Sequence, residues 1–241
     1  APPRWRLDDY RFWLPLLGLY TGARLSELCQ LRLGDIREEL GVWVISISSS
    51  GARQLKTVDS ERLVPLHKVI LEAEFLAFHQ QRLDATDGNL SATLFENLRV
   101  YGDLSPGHTA SRWFRGSDKD DKGYLGLCGL GDDELTYHGL RHTFIQQFRR
   151  QKLDMLIGKA LVGHADRSTT GGYGDCYPSY VLKEELDKID FETSTTHILY
   201  SYYKALQAQQ GVFRIGRPAG GTKATAANRA EKRHWRSRIT Q

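Results

Sequence analysis

A chain of 241 residues with 40% hydrophobic and 26% charged residues is long enough for one good-sized globular domain plus an appendage, or for two small domains. No apolar run approaches the ~20 residues that a membrane span needs. The net charge of +4 is unevenly placed: residues 211–241 hold eight Lys/Arg against the single acid Glu231, a balance of +7 that leaves −3 on the rest and points to a polyanionic partner. The start, Ala1-Pro2-Pro3-Arg4-Trp5-Arg6, lacks the apolar region of a secretion signal. Cys29, Cys128 and Cys176 are widely spaced, with no CxxC pair. Free thiols in a reducing, cytoplasmic setting are therefore expected rather than disulfides or zinc.

Asp8 and Asp9 are placed to cap a helix carrying Phe12, Trp13, Leu16, Leu17, Leu19 and Tyr20, with Pro15 tolerable only near its first turn. Thr21-Gly22 ends that helix. A second is expected from Ala23, with Leu25, Leu28, Leu31 and Leu33 as its buried stripe and Arg24 in its first turn, three residues before Glu27. An arginine there gains nothing from the helix dipole, so either a bound anion or the pair with Glu27 explains it. Alternation of Trp43, Ile45 and Ile47 with Val44, Ser46 and Ser48 predicts a strand over Gly41–Ser49. Two more, Gln54–Thr57 and Arg62–Leu66, flank the turn Val58-Asp59-Ser60-Glu61. Together they make a small antiparallel sheet whose hairpin projects Lys56, and Pro65 closes the last strand.

His67–Leu83 reads as one helix with Ile70, Leu71, Phe75, Leu76 and Phe78 apolar, and Asp84–Thr93 as a loop. Ser105-Pro106 starts a helix through Trp113. Gly116–Gly131 is expected to be a surface loop. Pro178 starts a helix with Val181, Leu182, Leu186 and Ile189, and a last helix spans about Ser194–Gln209. There are no internal repeats.

The chemistry concentrates between Tyr137 and Tyr173. His138 and Arg141 are three apart, hence neighbours on one helix face, while Leu140, Phe144 and Phe148 recur every four residues on the adjoining face. Leu153 to Val162 is again apolar at helical spacing, and Gly163 is placed as its C-cap. His164 opens a polar loop, Ala165 to Gly172, that Tyr173 closes. Two imidazoles, a guanidinium and a phenol at these spacings suit phosphodiester chemistry. No carboxylate cluster accompanies the histidines, so neither metal nor other cofactor is expected.

With Thr21-Gly22-Ala23-Arg24-Leu25-Ser26-Glu27-Leu28 in place as well, the chain resembles the tyrosine recombinase (phage integrase) family. That family's pattern is a TGxRxxEL segment, a hairpin lysine, HxLRHTF, LxGH and a tyrosine nine residues past the second histidine. All five occur here in order, over about Trp13 to Ile189. The resemblance implies the family's catalytic fold, α+β and mainly helical with a small antiparallel three-stranded sheet, over residues 1–192. The family's N-terminal clamp domain is expected to be absent, and residues 193–241 to form a C-terminal helix and a basic, flexible tail.

The resemblance further implies that Arg24, Lys56, His138, Arg141 and His164 form the catalytic pocket, with Glu27 in support and Tyr173 as nucleophile. Arg53 is the nearest alternative to Lys56. The implied activity is site-specific recombination of double-stranded DNA by a homo-oligomer, a tetramer on DNA, associated with the nucleoid. A nicking-and-resealing enzyme of type IB topoisomerase kind uses the same residue types, and a non-catalytic DNA-binding module is the alternative outside catalysis. In the tail, Gly216-Arg217-Pro218 and Gly220-Gly221 interrupt any regular helix. Arg217, Lys223, Arg229 and Arg233 would add DNA affinity there through phosphate neutralisation.

Overall fold

The computed structural model describes residues 9–48, 61–98, 105–116, 123–128, 135–164 and 177–191. By contact the chain separates into two compact units, Ala1–Tyr203 and Lys204–Gln241, and every described residue belongs to the first.

Asp9 caps α1 (Tyr10–Thr21), its carboxylate accepting from the Arg11 amide at 2.9 Å. Pro15 lies well inside this helix, beyond the first turn where it was expected, and forgoes the bond to the Arg11 carbonyl. An interior proline costs about 3 kcal/mol. Trp13, Leu14, Leu16, Leu17 and Tyr20 are all buried from the same helix, and at roughly 1.5–3 kcal/mol each for the aliphatic side chains alone they outweigh that loss.

The second helix, α2 (Leu25–Cys29), is shorter than its leucine spacing predicts, and Leu33–Asp35 form a single 3₁₀ turn instead. Leu31 and Leu33 are buried all the same. The reason is tertiary: the amides of Leu33 and Gly34 donate to the carbonyls of Ala92 and Leu90, both at 2.9 Å, and Arg32 bridges to Thr93. A segment sixty residues downstream takes the bonds that a longer helix would have used.

Three strands form one antiparallel sheet in the order β1 (Ile36–Glu39), β2 (Val42–Ile47), β3 (Arg62–Pro65), with Ile36 facing Ile45 and Ile47 facing Arg62. Strand β1 was not expected, because three of its four residues are charged. It is an edge strand, where exposed charge is usual. Leu40 and Gly41 join β1 to β2 with φ of 51° and 77°, the double positive φ that a two-residue hairpin turn requires. The strand expected at Gln54–Thr57, with Lys56 and its alternative Arg53, lies outside the described residues.

The single helix expected over His67–Leu83 is two, α3 (Lys68–Glu72) and α4 (Phe75–Ala85), separated at Glu74, which adopts the left-handed conformation at φ 62°. The break brings Phe75 and Phe78 onto Trp13, at ring-centroid distances of 5.0 and 5.4 Å. Next comes α5 (Pro106–Arg115), two residues longer than predicted. Within the stretch expected to be loop there is a further short helix, α6 (Gly123–Leu127). Tyr124 explains it by packing on Trp113 and Phe114, at 5.1 and 5.5 Å. The remaining described helices are α7 (His138–Arg150), α8 (Met155–Val162) and α9 (Ser179–Leu186). Helix α7 packs on α1 and on α8, while α8 and α9 both pack against β3. No described helix is long and apolar enough to cross a membrane.

Candidate active site

The site begins at the turn between α1 and α2. Gly22 ends α1 at φ 62°, and a Cβ there would lie 2.5 Å from Phe144 Cδ1 and 2.8 Å from Val162 Cγ1. Glycine is required twice over, by the backbone conformation and by the approach of α7 and α8. The Thr21 hydroxyl donates to the Leu17 carbonyl at 2.5 Å and accepts the Ala23 amide at 3.1 Å, which sets the chain's exit from α1. Arg24 is the N-cap of α2 rather than a residue of its first turn. Both its amide and its guanidinium donate to Glu27, at 2.8 and 2.7 Å.

Glu27 is therefore the hub. Its side chain is 2% exposed, and a second guanidinium reaches it from β3: Arg62 Nη2 lies 2.8 Å from Oε2. Arg62 Nε donates to the Leu161 carbonyl at 2.7 Å. Arg141, buried on α7, donates through Nη1 to the Gly22 carbonyl at 2.8 Å and through Nη2 to the Val162 carbonyl at 2.6 Å. An arginine has five N–H donors, so two carbonyl bonds leave most of its capacity for a further acceptor. Helix α8 ends at Gly163, φ 65°, and the His164 amide donates back to the Lys159 carbonyl at 3.0 Å. His164 thus stands just past a helix end that two guanidiniums cap.

Burial would raise the Glu27 carboxyl, but hydrogen bonds and charge from Arg62 and Arg24 outweigh it and hold the group below its ordinary value. Arg141 is pushed down to about 10 by burial and by Arg24 and Arg62, against the opposing pull of Glu27. His164 is lowered by partial burial, then by Arg141, Arg24, Arg62 and Lys159. Its imidazole is thereby biased toward the neutral form, which carries one ring N–H donor. Among the described residues, the three guanidiniums of Arg24, Arg62 and Arg141 outnumber the one carboxylate of Glu27, with the Arg62, Arg141 and Glu27 side chains buried.

Of the residues singled out from sequence, Arg24, Glu27, Arg141 and His164 come together here. His138 sits exposed at the first turn of α7, its ring edge-on to His142 with centroids 4.7 Å apart. Lys56, Tyr173 and the tail residues Arg217, Lys223, Arg229 and Arg233 lie outside the described residues, as do Cys176 and the expected final helix. Arg62 was missed as a site residue. Its sequence signal was faint: an arginine opening an otherwise apolar strand, Arg62-Leu63-Val64-Pro65, has to find a buried acid or leave the sheet.

Arg24, Glu27, Arg62, Arg141 and His164 thus gather where α2, β3, α7 and the end of α8 meet, in a mainly helical α+β fold. The chain belongs to the phage integrase family, whose sequence profile matches residues 14–179. It is 31% identical over 184 residues to tyrosine recombinase XerA of Pyrococcus horikoshii, a match covering 75% of this chain and 55% of the relative. It is 30% identical over 157 residues to tyrosine recombinase XerD of Proteus mirabilis, covering 63% and 43%. Among solved structures, XerA recombinase shares 20% identity at a TM-score of 0.42, over 86% of this chain and 58% of that one. The chain spans about half the length of the curated relatives it matches.

Proposed function

We propose that the chain is the catalytic domain of a site-specific DNA recombinase, which breaks and rejoins double-stranded DNA through a 3′-phosphotyrosine intermediate. The observation that supports this best is the convergence, among the described residues, of Arg24, Arg62 and Arg141 around Glu27, beside His164. A phosphodiester resists attack because its oxygens are negative, and a preorganised positive pocket stabilises the additional charge of the pentacoordinate transition state. Arg24 and Arg141 hold the non-bridging oxygens, and His164 donates a hydrogen bond to the phosphate.

The Tyr173 oxygen bonds to phosphorus as the bond to the 5′-oxygen breaks. His138 takes the phenolic proton and Lys56 supplies one to the departing 5′-oxygen, each worth roughly 10²–10⁴-fold. The phosphotyrosyl ester retains the energy of the bond it replaced, so a 5′-hydroxyl from another strand can reverse the step without ATP. The relatives' recombinase names favour this over the nicking-and-resealing alternative. The active form is a tetramer on DNA, working at the nucleoid in the cytoplasm. Arg217, Lys223, Arg229 and Arg233 in the tail neutralise backbone phosphates with little sequence readout.

Tyr173→Phe removes only the phenolic oxygen. It should abolish the SDS-stable protein–DNA adduct while leaving DNA affinity nearly intact. An adduct that survives in this variant would move the nucleophile to another tyrosine, Tyr177 or Tyr180 first.

A further inference from the structure

We infer that Arg62 is a positioning residue for strand cleavage: one guanidinium that ties the Arg24 anchor to the helix end presenting His164. The inference rests on the recombinase reading for its reaction, and on the following geometry for its role.

Arg62 reaches in two directions at once. Nη2 and Nη1 lie 2.8 and 3.4 Å from the two Glu27 oxygens, and that carboxylate accepts both the amide and the guanidinium of Arg24. Nε donates to the carbonyl of Leu161, one of the last carbonyls of α8 that the helix itself leaves unbonded. The next carbonyl, Val162, is held by Arg141. Two consecutive carbonyls at the end of α8 are thereby capped by two different arginines, and His164 follows two residues later.

Gly163 extends the same clamp. A Cβ at Gly163 would lie 3.0 Å from Arg62 Nη1 and 3.2 Å from its Cδ, so the guanidinium is packed against the helix cap as well as bonded to it. The Arg62 side chain is only 6% exposed, against 22% for Arg24. Arg24 is the more exposed of the two. Arg62 is covered, and acts through its neighbours.

A planar fork with separate Nε and Nη donors can bridge a carboxylate and a carbonyl; a lysine ammonium at the same reach is a single point and cannot hold both in the same geometry. Releasing either end lets Arg24 or His164 drift, and a displacement on the order of 1 Å in a catalytic group can cost about 10²-fold in rate. Affinity for DNA, set mainly by phosphate contacts over a much larger surface, should hardly change.

The test uses the full 241-residue chain with Arg62→Ala, Arg62→Lys, Glu27→Gln and the double variant Glu27→Gln/Arg62→Ala. The substrate is a nicked duplex selected from random-sequence DNA for covalent capture by the wild-type protein. Single-turnover adduct formation should fall about 10²-fold in both Arg62 variants, with DNA affinity within a factor of about three. The double variant should be no slower than the slower single one, because both substitutions break the same clamp. Arg62→Lys, which keeps the charge, should also move the NMR signals of the His164 ring and of the Arg24 guanidinium in the absence of DNA.

Wild-type cleavage by Arg62→Lys, multiplied effects in the double variant, or unmoved His164 and Arg24 signals would each overturn the clamp. Should Arg62→Ala fail to fold, Arg62→Lys decides alone. If no duplex is captured by the wild-type chain, the recombinase reading fails, and the NMR comparison still decides whether the clamp exists.

Discussion

Glu27 and His67 are both buried ionisable groups in the same domain, and they are satisfied in opposite ways. His67 is 0% exposed. Its Nδ1 accepts the Val69 amide at 3.1 Å, which leaves the proton on Nε2 to be donated to the Ile189 carbonyl at 3.1 Å, and its ring lies against Tyr20 at 4.5 Å. Burial holds the imidazole neutral, down to about 4. Both ring nitrogens have backbone partners, and the neighbouring charges of Asp187, Lys68 and Lys183 act on a ring that stays neutral, so the group pins the start of α3 to the chain just after α9. Glu27 is charged, and so are its partners, which outnumber it. A neutral, saturated polar site is complete as architecture. His67 is held through both ring nitrogens by the protein's own backbone, whereas Glu27 is set among guanidiniums, and on the proposed function that is where a substrate's negative charge is met.

Removing a guanidinium should have the largest effect. On the proposed function, Arg24→Ala and Arg141→Ala each delete a donor to the phosphate and should slow single-turnover DNA cleavage by about 10²–10³-fold. A wild-type rate in either variant would place that residue outside the pocket.

The comparison sharpens with Glu27→Gln, which keeps the shape and leaves the guanidiniums without counter-charge. Urea unfolding should report a loss of about 3 kcal/mol. Added sulfate should recover part of it by binding the folded pocket, and should do nothing for a His67 variant. Equal sulfate effects in both would erase the distinction drawn between the two centres.

Acid separates them further. The folded value of His67 lies below its ordinary 6.5, so the unfolded state binds the proton more readily. Stability is therefore undiminished above pH 6.5 and falls by a few kcal/mol as pH drops from there to about 4. Glu27 is also lowered, but from 4.5, so its contribution is complete above pH 4.5 and is lost only below, as pH falls through the folded value. The stability gap between wild type and His67→Gln should narrow between pH 7 and pH 5. A constant gap would mean that His67 is not held neutral.

The smallest effect tests neither centre and serves as a control. Leu40 is 76% exposed at φ 51°, a conformation that suits asparagine better than leucine. Leu40→Asn creates the Asn-Gly turn that such hairpins prefer. It should raise stability by about 0.5–1 kcal/mol without touching cleavage, as thermal unfolding and the adduct assay can both check.

How far residues alone could go depended on the range of the interaction that decides each element. The caps at Asp9 and Gly163, the start of α9 after Pro178 and the apolar faces of α1 and α7 follow from periods of three to four residues and were readable. The pair of Arg24 with Glu27, three residues apart, was one of the two readings the sequence offered for that arginine, and it is the one the structure shows. The early end of α2 was not readable, since the carbonyls of Leu90 and Ala92 compete for its backbone. Nor was the break at Glu74, which exists because Trp13 gathers Phe75 and Phe78. Helix α6 was hidden by its glycines, because the tyrosine that anchors it does so through rings on α5.

What the sequence determined by itself was local presentation: that His138 and Arg141 share one helix, which glycine ends α8, and where His164 leaves it. Tertiary structure alone decided that Glu27 would serve two arginines 38 residues apart in sequence, and that the end of α8 would be held by side chains from β3 and α7. The physical reason is reach. A helix turn correlates residues three or four apart, whereas a buried charge must be met by whichever partner the packed core brings within 3 Å, however far away along the chain that partner begins.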